Sequence, residues 1–337
     1  MAAKSESITV DVGGTEVTVS SPDKVFFNQR NETKLDLVNY YLAVGEPLMA
    51  VMRDRPLLME RYPNGAGGKS WWQKRVPAGT PEWLRTTVVS TPNGTTSDAL
   101  VAADMAHVIW AVNLGCLGFH VWPYRAGEPE FTDELRVDLD PSPGVDFDAL
   151  REGAVLTREL LAELGIAARL KTSGSRGLHV YVALQRKWDS YQVRAAAVAL
   201  ARELERRHPE KITAKWWKEE RGARVFVDFN QNAPHKTVFG AWCVRPKQSA
   251  QVSTPISWDD LSTVDPTALT LATVPARVAE FGDPWAEISE PQSIEPLLEM
   301  SERDMADGLM DAPWPPVYPK QPNEPPRVAP SRAKKEE

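Results

Sequence analysis

The sequence predicts an α/β protein of the α+β type, with a mixed, largely antiparallel central sheet flanked by helices and a smaller N-terminal module. Residues 118–184 follow a β–β–α–β–β order, because short alternating segments surround one amphipathic helical segment. A second long amphipathic segment covers 190–208 and is closed by Pro209. An apolar fraction of 42% and a charged fraction of 25% are ordinary for a globular chain of 337 residues.

The first third of the chain has the patterns of a hairpin, a helix and a long loop. Apolar residues alternate on both sides of Gly13-Gly14 within residues 1–20, which predicts a β-hairpin closed by that glycine pair. The apolar stripe of residues 34–43 predicts a helix, and the Gly- and Trp-rich segment 61–80 predicts a loop. Helical spacing of apolar residues also predicts a helix over 97–114.

The remainder is predicted to supply a sheet, its covering helices and a tail. Asp146 and Gly165 stand in the usual capping positions of a helix over 146–164. A short helix over 294–305 precedes a proline-dense segment, from which we expect an extended and poorly packed tail. The predicted strands of this part are 120–122, 134–139, 166–171, 178–184, 224–229 and 237–245.

The bulk charge and the cysteine content exclude several classes of protein. A net charge of −7 and a pI near 5.5 argue against a protein that coats nucleic acid through overall positive charge, although a local basic groove is compatible with them. No apolar run of membrane-spanning length and no apolar leader occur, so we expect a cytoplasmic protein without a membrane span. Cys116 and Cys243 are too few for a disulfide framework or a zinc site.

Two carboxylates spaced two residues apart are the clearest chemical signal. Asp138 and Asp140 lie on a predicted strand, where period two puts both side chains on one face. Such a pair can hold two Mg²⁺ or Mn²⁺ ions when a third acid joins it, and we choose Asp228 because it lies on a short apolar strand. The alternatives are an acidic surface strand for the pair, and a salt bridge to Arg221 or Arg224 for Asp228.

A Gly-rich cationic turn follows the acidic pair. The segment Ser173-Gly174-Ser175-Arg176-Gly177 offers backbone N–H groups, two hydroxyls and a guanidinium, which together can hold phosphate oxygens. It lacks the spacing of a Walker A loop, and a hairpin turn that merely needs glycines is the alternative. His179 follows on the next predicted strand, with a structural role as the alternative to a catalytic one.

Tryptophan pairs suggest a surface that stacks on nucleic acid. Trp71-Trp72 lies beside Lys69, and Trp216-Trp217 lies between Lys215 and Lys218. Aromatic faces next to cations suit stacking on bases, and core packing is the alternative. On a strand, one ring of each pair would point inward, so we expect one buried and one exposed member.

These motifs, in this order, resemble the bacterial members of the archaeo-eukaryotic primase superfamily. More narrowly, they resemble the polymerase domain of bacterial end-joining ligase D and its stand-alone relatives, the Prim-Pol proteins of mycobacteria and other actinobacteria. It extends from Ser21-x-x-Lys24 to the proline-rich end and includes the segment Trp-Trp-Lys-Glu-Glu-Arg at 216–221. The resemblance implies a primase-polymerase fold and a template-directed nucleotidyltransferase for DNA repair that fills gaps or ends, often with ribonucleotides and with manganese.

The resemblance also implies roles for individual residues. The metal ligands would be Asp138, Asp140 and Asp228. The triphosphate would be held by Ser173, Arg176, Arg221, Gln231 and Arg245, with His120 and His179 on the nucleotide side of the pocket. The residues facing gapped or primed DNA would be Lys24, Lys34, Arg61, Lys69, Trp71 and Trp72. A downstream 5′-phosphate is recognised by lysines in relatives, and Glu60, which precedes Arg61, stands where a lysine is often found.

The same comparison predicts how the chain is organised and what it works with. We expect a catalytic unit over 1–290, in which 1–95 faces the DNA end and 96–290 carries the catalytic sheet, and an extension over 291–337. No Lys-x-Asp-Gly adenylation motif occurs, so a separate DNA ligase is expected as partner of a nucleoid-associated monomer. A metal-dependent nuclease or phosphoesterase and a non-catalytic nucleic-acid-binding module are the alternative functions. End joining, excision-repair filling and priming all remain open.

Overall fold

The computed structural model of the chain describes residues 6–286 and 290–332, and the last five residues of the predicted tail lie outside them. The first eight strands are β1 (Ser7–Val12), β2 (Thr15–Ser20), β3 (Val25–Phe27), β4 (Glu32–Thr33), β5 (Pro56–Arg61), β6 (Trp71–Gln73), β7 (Thr86–Ser90) and β8 (Thr96–Val101). The later strands are β9 (Cys116–Val121), β10 (Glu134–Pro141), β11 (Arg169–Thr172), β12 (Leu178–Ala183), β13 (Ile212–Thr213), β14 (Val225–Asp228), β15 (Val238–Phe239) and β16 (Pro255–Ile256). The α-helices are α1 (Lys34–Ala43), α2 (Gly45–Met52), α3 (Met105–Asn113), α4 (Phe147–Glu163), α5 (Ser190–Arg207), α6 (Val274–Phe281) and α7 (Glu295–Ala306). Short 3-10 turns cover Lys218–Glu220, Phe229–Asn232, Asp260–Ser262 and Pro330–Arg332.

Two large sheets form the centre of the protein. The first has the strand order β13-β14-β10-β12-β11-β16, and all its pairs are antiparallel except β13 with β14. The second has the order β15-β9-β5-β8-β7, with β6 added to β5, and takes strands from both sides of residue 95. The prediction of a mixed, largely antiparallel α+β fold is confirmed, whereas the division at residue 95 stays a prediction.

Helices α4 and α5 cover the first sheet because each buries one apolar stripe. Helix α4 begins after Asp146, whose side chain accepts a hydrogen bond from Ala149 N, and α5 begins after Asp189 in a capping box with Gln192. Both helices contribute to one hydrophobic cluster that also contains the inward side chains of β10 and β12. None of the helices in the described residues has the length and apolarity needed to cross a bilayer.

The N-terminal hairpin forms as predicted. Strands β1 and β2 pair in register, and the connecting residues Gly13 and Gly14 have φ angles of 63° and 87°. Two consecutive positive φ values are the requirement of a tight hairpin turn, which glycine meets without strain. The side chain of Asp11 accepts a hydrogen bond from Gly14 N and closes the turn.

Three predicted elements are wrong in part. Residues 96–101 form strand β8 instead of the first half of a helix, and α3 starts only after Asp104, which caps it. The strand predicted over 237–245 is limited to β15, because Trp242 adopts a φ of 63° and turns the chain. The loop predicted over 61–80 contains β6, which adds to the edge of the second sheet.

The proline-dense tail is not poorly packed where the structure describes it. Trp314 and Tyr318 are buried and form a small cluster with Ala233. The side chain of Glu324 is fully buried and accepts hydrogen bonds from Trp314 N and from Arg327. The prediction failed because the tail is stabilised by contacts with distant parts of the chain, which a local composition does not reveal.

Candidate nucleotidyl-transfer site

Strand β10 presents the two acids as the alternating pattern predicts. Asp138 and Asp140 point to one face, while Val137 and Leu139 are buried in the core on the other. The apolar side chains anchor the strand against the helices, so the direction of the carboxylates is fixed by core packing.

The pairing of four strands builds a row of polar side chains across the sheet. Asp228 on β14 lies directly opposite Asp138, and His179 on β12 lies opposite Asp138 on its other side. Lys171 on β11 is in turn opposite His179. Residues directly opposite in a sheet share a face, so the row runs Asp228, Asp138, His179, Lys171.

The three aspartates fit a divalent cation. One carboxylate oxygen from each of Asp138, Asp140 and Asp228 lies within 4.8 Å of the others. Asp138 Oδ1 is buried without a hydrogen-bond partner, although His179 Nε2 is 3.2 Å away. A set of carboxylate oxygens with an unpaired buried member is the donor chemistry that Mg²⁺ and Mn²⁺ prefer.

Burial and mutual repulsion perturb these acids. Burial raises the pKa of Asp138 to about 6, against the attraction of Lys171 and Arg245. Burial, followed by repulsion from the other two acids, raises the pKa of Asp228 to about 7. Asp140 is more exposed, and burial together with the charge of Asp138 raises its pKa to about 6. Like charges held this close favour a cation between them.

The hydrogen-bond partners of Asp228 show whether it is available as a metal ligand or is paired with Arg221 or Arg224. Its Oδ1 accepts a hydrogen bond from Asn230 N at 3.0 Å, and its Oδ2 accepts one from Gln231 Nε2 at 2.8 Å. Arg221 donates to the carbonyls of Lys215 and Trp216 instead and stacks on a phenylalanine ring. Among the described residues, Asp228 therefore has no arginine salt bridge.

The Gly-rich turn lies against the acidic strand. Ser173 Oγ accepts hydrogen bonds from Ser175 N and Gly177 N, so one hydroxyl organises the whole turn. A Cβ on Gly177 would lie 2.9 Å from Leu139 O, and glycine alone permits this approach of the turn to β10. Arg245 Nε donates to Ser173 O at 2.7 Å and fixes the turn from the far side.

A cavity of about 310 Å³ opens between the turn and the acids. Six of the residues predicted to bind nucleotide line it, namely His120, Ser173, Arg176, His179, Gln231 and Arg245. Arg221, the seventh, is not among the lining residues; it follows the 3-10 turn Lys218–Glu220, and its charge interacts with Asp228 and Asp140. Burial lowers the pKa of His179 well below its usual value, and nearby Lys171 and Arg245 add to this effect, so the imidazole is neutral.

Two lysines at this site were not predicted. Lys171 is completely buried at the end of the polar row, and Lys247 donates to Ser175 Oγ at 2.5 Å and lines the cavity. Burial lowers the pKa of Lys171 to about 7. The basic cluster around residues 236–247 was a signal for Lys247, but a buried lysine inside a strand has no distinctive sequence pattern.

The tryptophan pairs differ from the expectation of one buried and one exposed ring. Trp71 and Trp72, on the short strand β6, are 44% and 54% exposed. Arg61 lies over the Trp71 ring at 5.0 Å, and the Trp72 ring contacts His120 with centroids 4.7 Å apart. Trp216 and Trp217 are both half-buried. The first pair thus adjoins the cavity through His120, and Lys69, two residues before Trp71, is exposed.

Lys24 and Lys34 lie together but do not line the cavity. Lys34 is only 5% exposed and donates to Ser20 O at 2.5 Å and Asn113 O at 3.2 Å. Lys24 is exposed and donates to Pro63 O at 2.7 Å. Burial, with repulsion from Lys24, lowers the pKa of Lys34 to about 8.

Glu60 faces the cavity side of the second sheet. Its Oε1 accepts a hydrogen bond from the Tyr62 hydroxyl at 2.8 Å, and its Oε2 lies 3.7 Å from His120 Nε2. The carboxylate therefore has partners of its own near the predicted nucleotide pocket.

Comparisons with known proteins agree with this arrangement. The family model described as LigD, primase-polymerase domain, matches residues 33–285. The multifunctional non-homologous end joining protein LigD of Mycolicibacterium smegmatis is 29% identical over 269 residues, covering 79% of this chain and 35% of that protein. The LigD of Mycobacterium tuberculosis is 31% identical over 275 residues, covering 79% of this chain and 36% of that protein. The chain thus spans about a third of the length of these curated relatives.

A solved structure shows the same fold. The polymerase domain from Mycobacterium tuberculosis ligase D in complex with DNA superimposes with a TM-score of 0.76 at 30% identity, covering 81% of this chain and 98% of that chain. The resemblance inferred from the three aspartates and the Gly-rich turn is therefore confirmed. By the extent of the family match and by fold, this chain belongs to the LigD primase-polymerase domain family.

Proposed function

We propose that the protein is a template-directed nucleotidyltransferase that extends a primer at short gaps or ends of DNA during repair, with ribonucleotides preferred. The observation that carries this proposal is the meeting of three carboxylates, within 4.8 Å of one another, beside a glycine turn that opens on a 310 Å³ cavity. Family membership supports the polymerase class, and the relatives named for non-homologous end joining support a role in that repair process.

The acids and the turn divide the chemistry between them. Asp138, Asp140 and Asp228 would hold two Mn²⁺ or Mg²⁺ ions. Ions bound there would lower the pKa of the primer 3′-hydroxyl and neutralise charge on the leaving pyrophosphate. Ser173 keeps the turn open for the triphosphate, and the guanidinium of Arg176 binds its oxygens from the mouth of the cavity.

Other cavity residues orient the nucleotide. Arg245 and Gln231 both line the cavity, where the first is hydrogen-bonded to the Gly-rich turn and the second to Asp228. Arg221 supplies a further positive charge next to Asp228 and Asp140. His179 and His120, each with a buried ring nitrogen that lacks a hydrogen-bond partner, would face the sugar and base.

The exposed aromatic pair supports a path for DNA. Trp71 and Trp72 would stack on template bases, while Arg61 and Lys69 contact the backbone. Lys24 and Lys34 would bind a downstream 5′-phosphate. In this scheme the module over 1–95 faces the DNA end, a separate ligase seals the product, and the protein acts as a monomer on the nucleoid in the cytoplasm.

The decisive experiment is primer extension on gapped duplexes with ribo- and deoxynucleotides and with Mg²⁺ or Mn²⁺. Wild-type protein is expected to lengthen the primer, and the double variant Asp138→Ala, Asp140→Ala is expected to lose this activity while keeping its circular dichroism spectrum. Extension by the double variant at the wild-type rate would contradict the proposal. A primer that becomes shorter would instead identify a nuclease that uses the same acids.

A further inference from the structure

The turn that follows the third aspartate determines how that aspartate is oriented. Asp228 ends β14, and its two oxygens accept hydrogen bonds from Asn230 N and Gln231 Nε2 within the 3-10 turn Phe229–Asn232. Any shift of the turn would therefore move the carboxylate that faces Asp138.

The side chain of Asn230 connects this turn to helix α5. Asn230 is 1% exposed, and its Oδ1 accepts a hydrogen bond from Arg194 Nε at 2.8 Å. Its Nδ2 donates to Pro313 O at 3.0 Å, so the same amide also reaches the C-terminal tail. The buried Asn230 amide thus links the turn both to helix α5 and to the C-terminal tail.

Most hydrogen bonds of the Arg194 guanidinium are made to the C-terminal tail. It is 1% exposed, and its guanidinium donates to both Asp311 oxygens, at 3.0 and 3.2 Å, and to Ala312 O at 2.9 Å. The Trp314 ring lies 3.8 Å from the guanidinium carbon and donates its Nε1 to Asp311 at 2.6 Å. A buried guanidinium needs such a full set of acceptors to remain in one orientation.

The tail that surrounds Arg194 is itself fixed in place. We define the C-terminal strap as residues 309–332. Asp311 N donates to Asn323 O at 2.9 Å, which closes the strap on itself, and the Tyr318 hydroxyl donates to Pro234 O just beyond the turn. At its far end Ser331 N donates to Glu219, next to Arg221. The strap therefore contacts both the segment that precedes β14 and the segment that follows it.

From these contacts we infer that the C-terminal strap, acting through Arg194 and Asn230, holds Asp228 in the orientation that binds the cation. Arg194 and Asn230 are positioning residues, because the Arg194 side chain bonds to the Asn230 amide and Asn230 reaches Asp228 only through its backbone N–H. The strap lies beyond residue 285, where the family match ends, whereas Arg194, Asn230 and Asp228 lie within the matched range. The inference rests on the proposed function in one respect, the binding of a divalent cation by the three aspartates.

The test measures Mn²⁺ affinity, by titration calorimetry on the full chain, together with the thermal unfolding midpoint in EDTA. The variant Asn230→Ala breaks the connection at its centre, and Asp311→Ala breaks it at the strap. Each is expected to weaken Mn²⁺ binding about tenfold or more, the usual effect of losing a partner that orients a ligand. Asp311→Asn keeps one acceptor oxygen for Arg194 and is expected to lose less Mn²⁺ affinity than Asp311→Ala. It provides a milder variant if the alanine variants do not fold.

Thr157→Ala is the matched control for a loss of stability alone. The Thr157 hydroxyl is buried and donates to Gly153 O at 2.8 Å within α4, so the variant should lower the unfolding midpoint and keep Mn²⁺ affinity. In primer extension, Asn230→Ala should lower kcat and leave KM for the primer unchanged. Wild-type Mn²⁺ affinity in Asn230→Ala and Asp311→Ala, or an equal loss in Thr157→Ala, would overturn the inference. A wild-type protein that binds no Mn²⁺ would overturn the proposed function as well.

Discussion

Replacing Asp228 by asparagine should make the metal-free protein more stable at alkaline pH. Burial and two neighbouring acids raise the pKa of Asp228 from 3.8 to about 7. One pKa unit is worth about 1.4 kcal/mol, so keeping this carboxylate ionised in the folded state costs on the order of 4 kcal/mol. Asparagine removes that cost but retains only one of the two accepting oxygens. Loss of one hydrogen bond reduces the gain in the free energy of unfolding by about 1 kcal/mol. Partial protonation of Asp138 and Asp140 relieves some of the repulsion in the wild type, so the expected net gain is roughly 1–3 kcal/mol.

The effect depends on pH in a defined direction. The folded-state pKa of Asp228 is raised above its unfolded value, so the folded wild-type protein is favoured when this acid is protonated. This contribution to the free energy of unfolding is present in full below pH 3.8 and is lost as the pH rises through about 7. The advantage of Asp228→Asn should therefore be largest near pH 8.5, should decrease steadily as the pH is lowered from about 7, and should disappear near pH 3.8. Above pH 8.5, Asp228 is ionised in both the folded and the unfolded state, so its contribution to the stability difference should no longer change with pH.

Urea unfolding followed by tryptophan fluorescence measures the difference, once in EDTA and once in Mn²⁺. The free energy of unfolding of the wild type should rise by about 2.7 kcal/mol when Mn²⁺ is present at one hundred times its dissociation constant, and that of Asp228→Asn should rise much less. Asp259→Asn, an exposed aspartate after β16, is the control and should match the wild type in both media. An Asp228→Asn protein that is less stable than the wild type in EDTA at pH 8.5, or that gains as much from Mn²⁺, would refute the reasoning.

Three further substitutions test the rest of the site. Arg176→Ala should raise KM for the nucleotide by roughly 10- to 100-fold, because a charged hydrogen bond contributes about 1.5–3 kcal/mol. Arg176→Lys keeps the charge and should have a smaller effect. Equal KM values in the wild type and both variants would count against a triphosphate contact. Trp72→Ala should weaken binding of single-stranded template, measured by fluorescence anisotropy, by about 1–3 kcal/mol, and Trp83→Ala should not; identical losses would remove the stacking argument. Lys34→Ala should abolish the preference for 5′-phosphorylated gaps in extension assays, and wild-type preference should fall as the pH rises through about 8, since the folded-state pKa of Lys34 is lowered to that value. A Lys34→Ala protein that still prefers phosphorylated gaps would exclude this role.

Local periodicity predicted the elements that present the acids. Strand β10 was predictable because apolar residues alternate with Asp138 and Asp140 and because one face packs in the core. Helix α4 was predictable because Asp146 caps its start and Gly165 follows its end with a φ of 72°. In these segments, local preference and tertiary packing favour the same structure.

Periodicity failed where tertiary contacts decide the structure. The apolar residues 99–101 fit the spacing of a helix, but they belong to β8 because this strand pairs with β5 and β7. Lys171 and the Arg194–Asn230 link depend on residues that are far apart in sequence, such as Ser253 and Asp311. No local pattern distinguishes a buried lysine or arginine with such partners from an exposed one.

Strand register, more than residue type, creates the site. The spacing of two positions between Asp138 and Asp140 ensures only that both carboxylates share a face of β10. The third ligand is contributed because β14 pairs with β10 so that Asp228 lies directly opposite Asp138. A slip of one residue would bring Val227 to that place and turn Asp228 toward the hydrophobic core. β14 has only four residues, so its own pairing is a weak constraint on register. The turn after Asp228, which Arg194 and the C-terminal strap hold, therefore supplies the constraint that the short strand lacks.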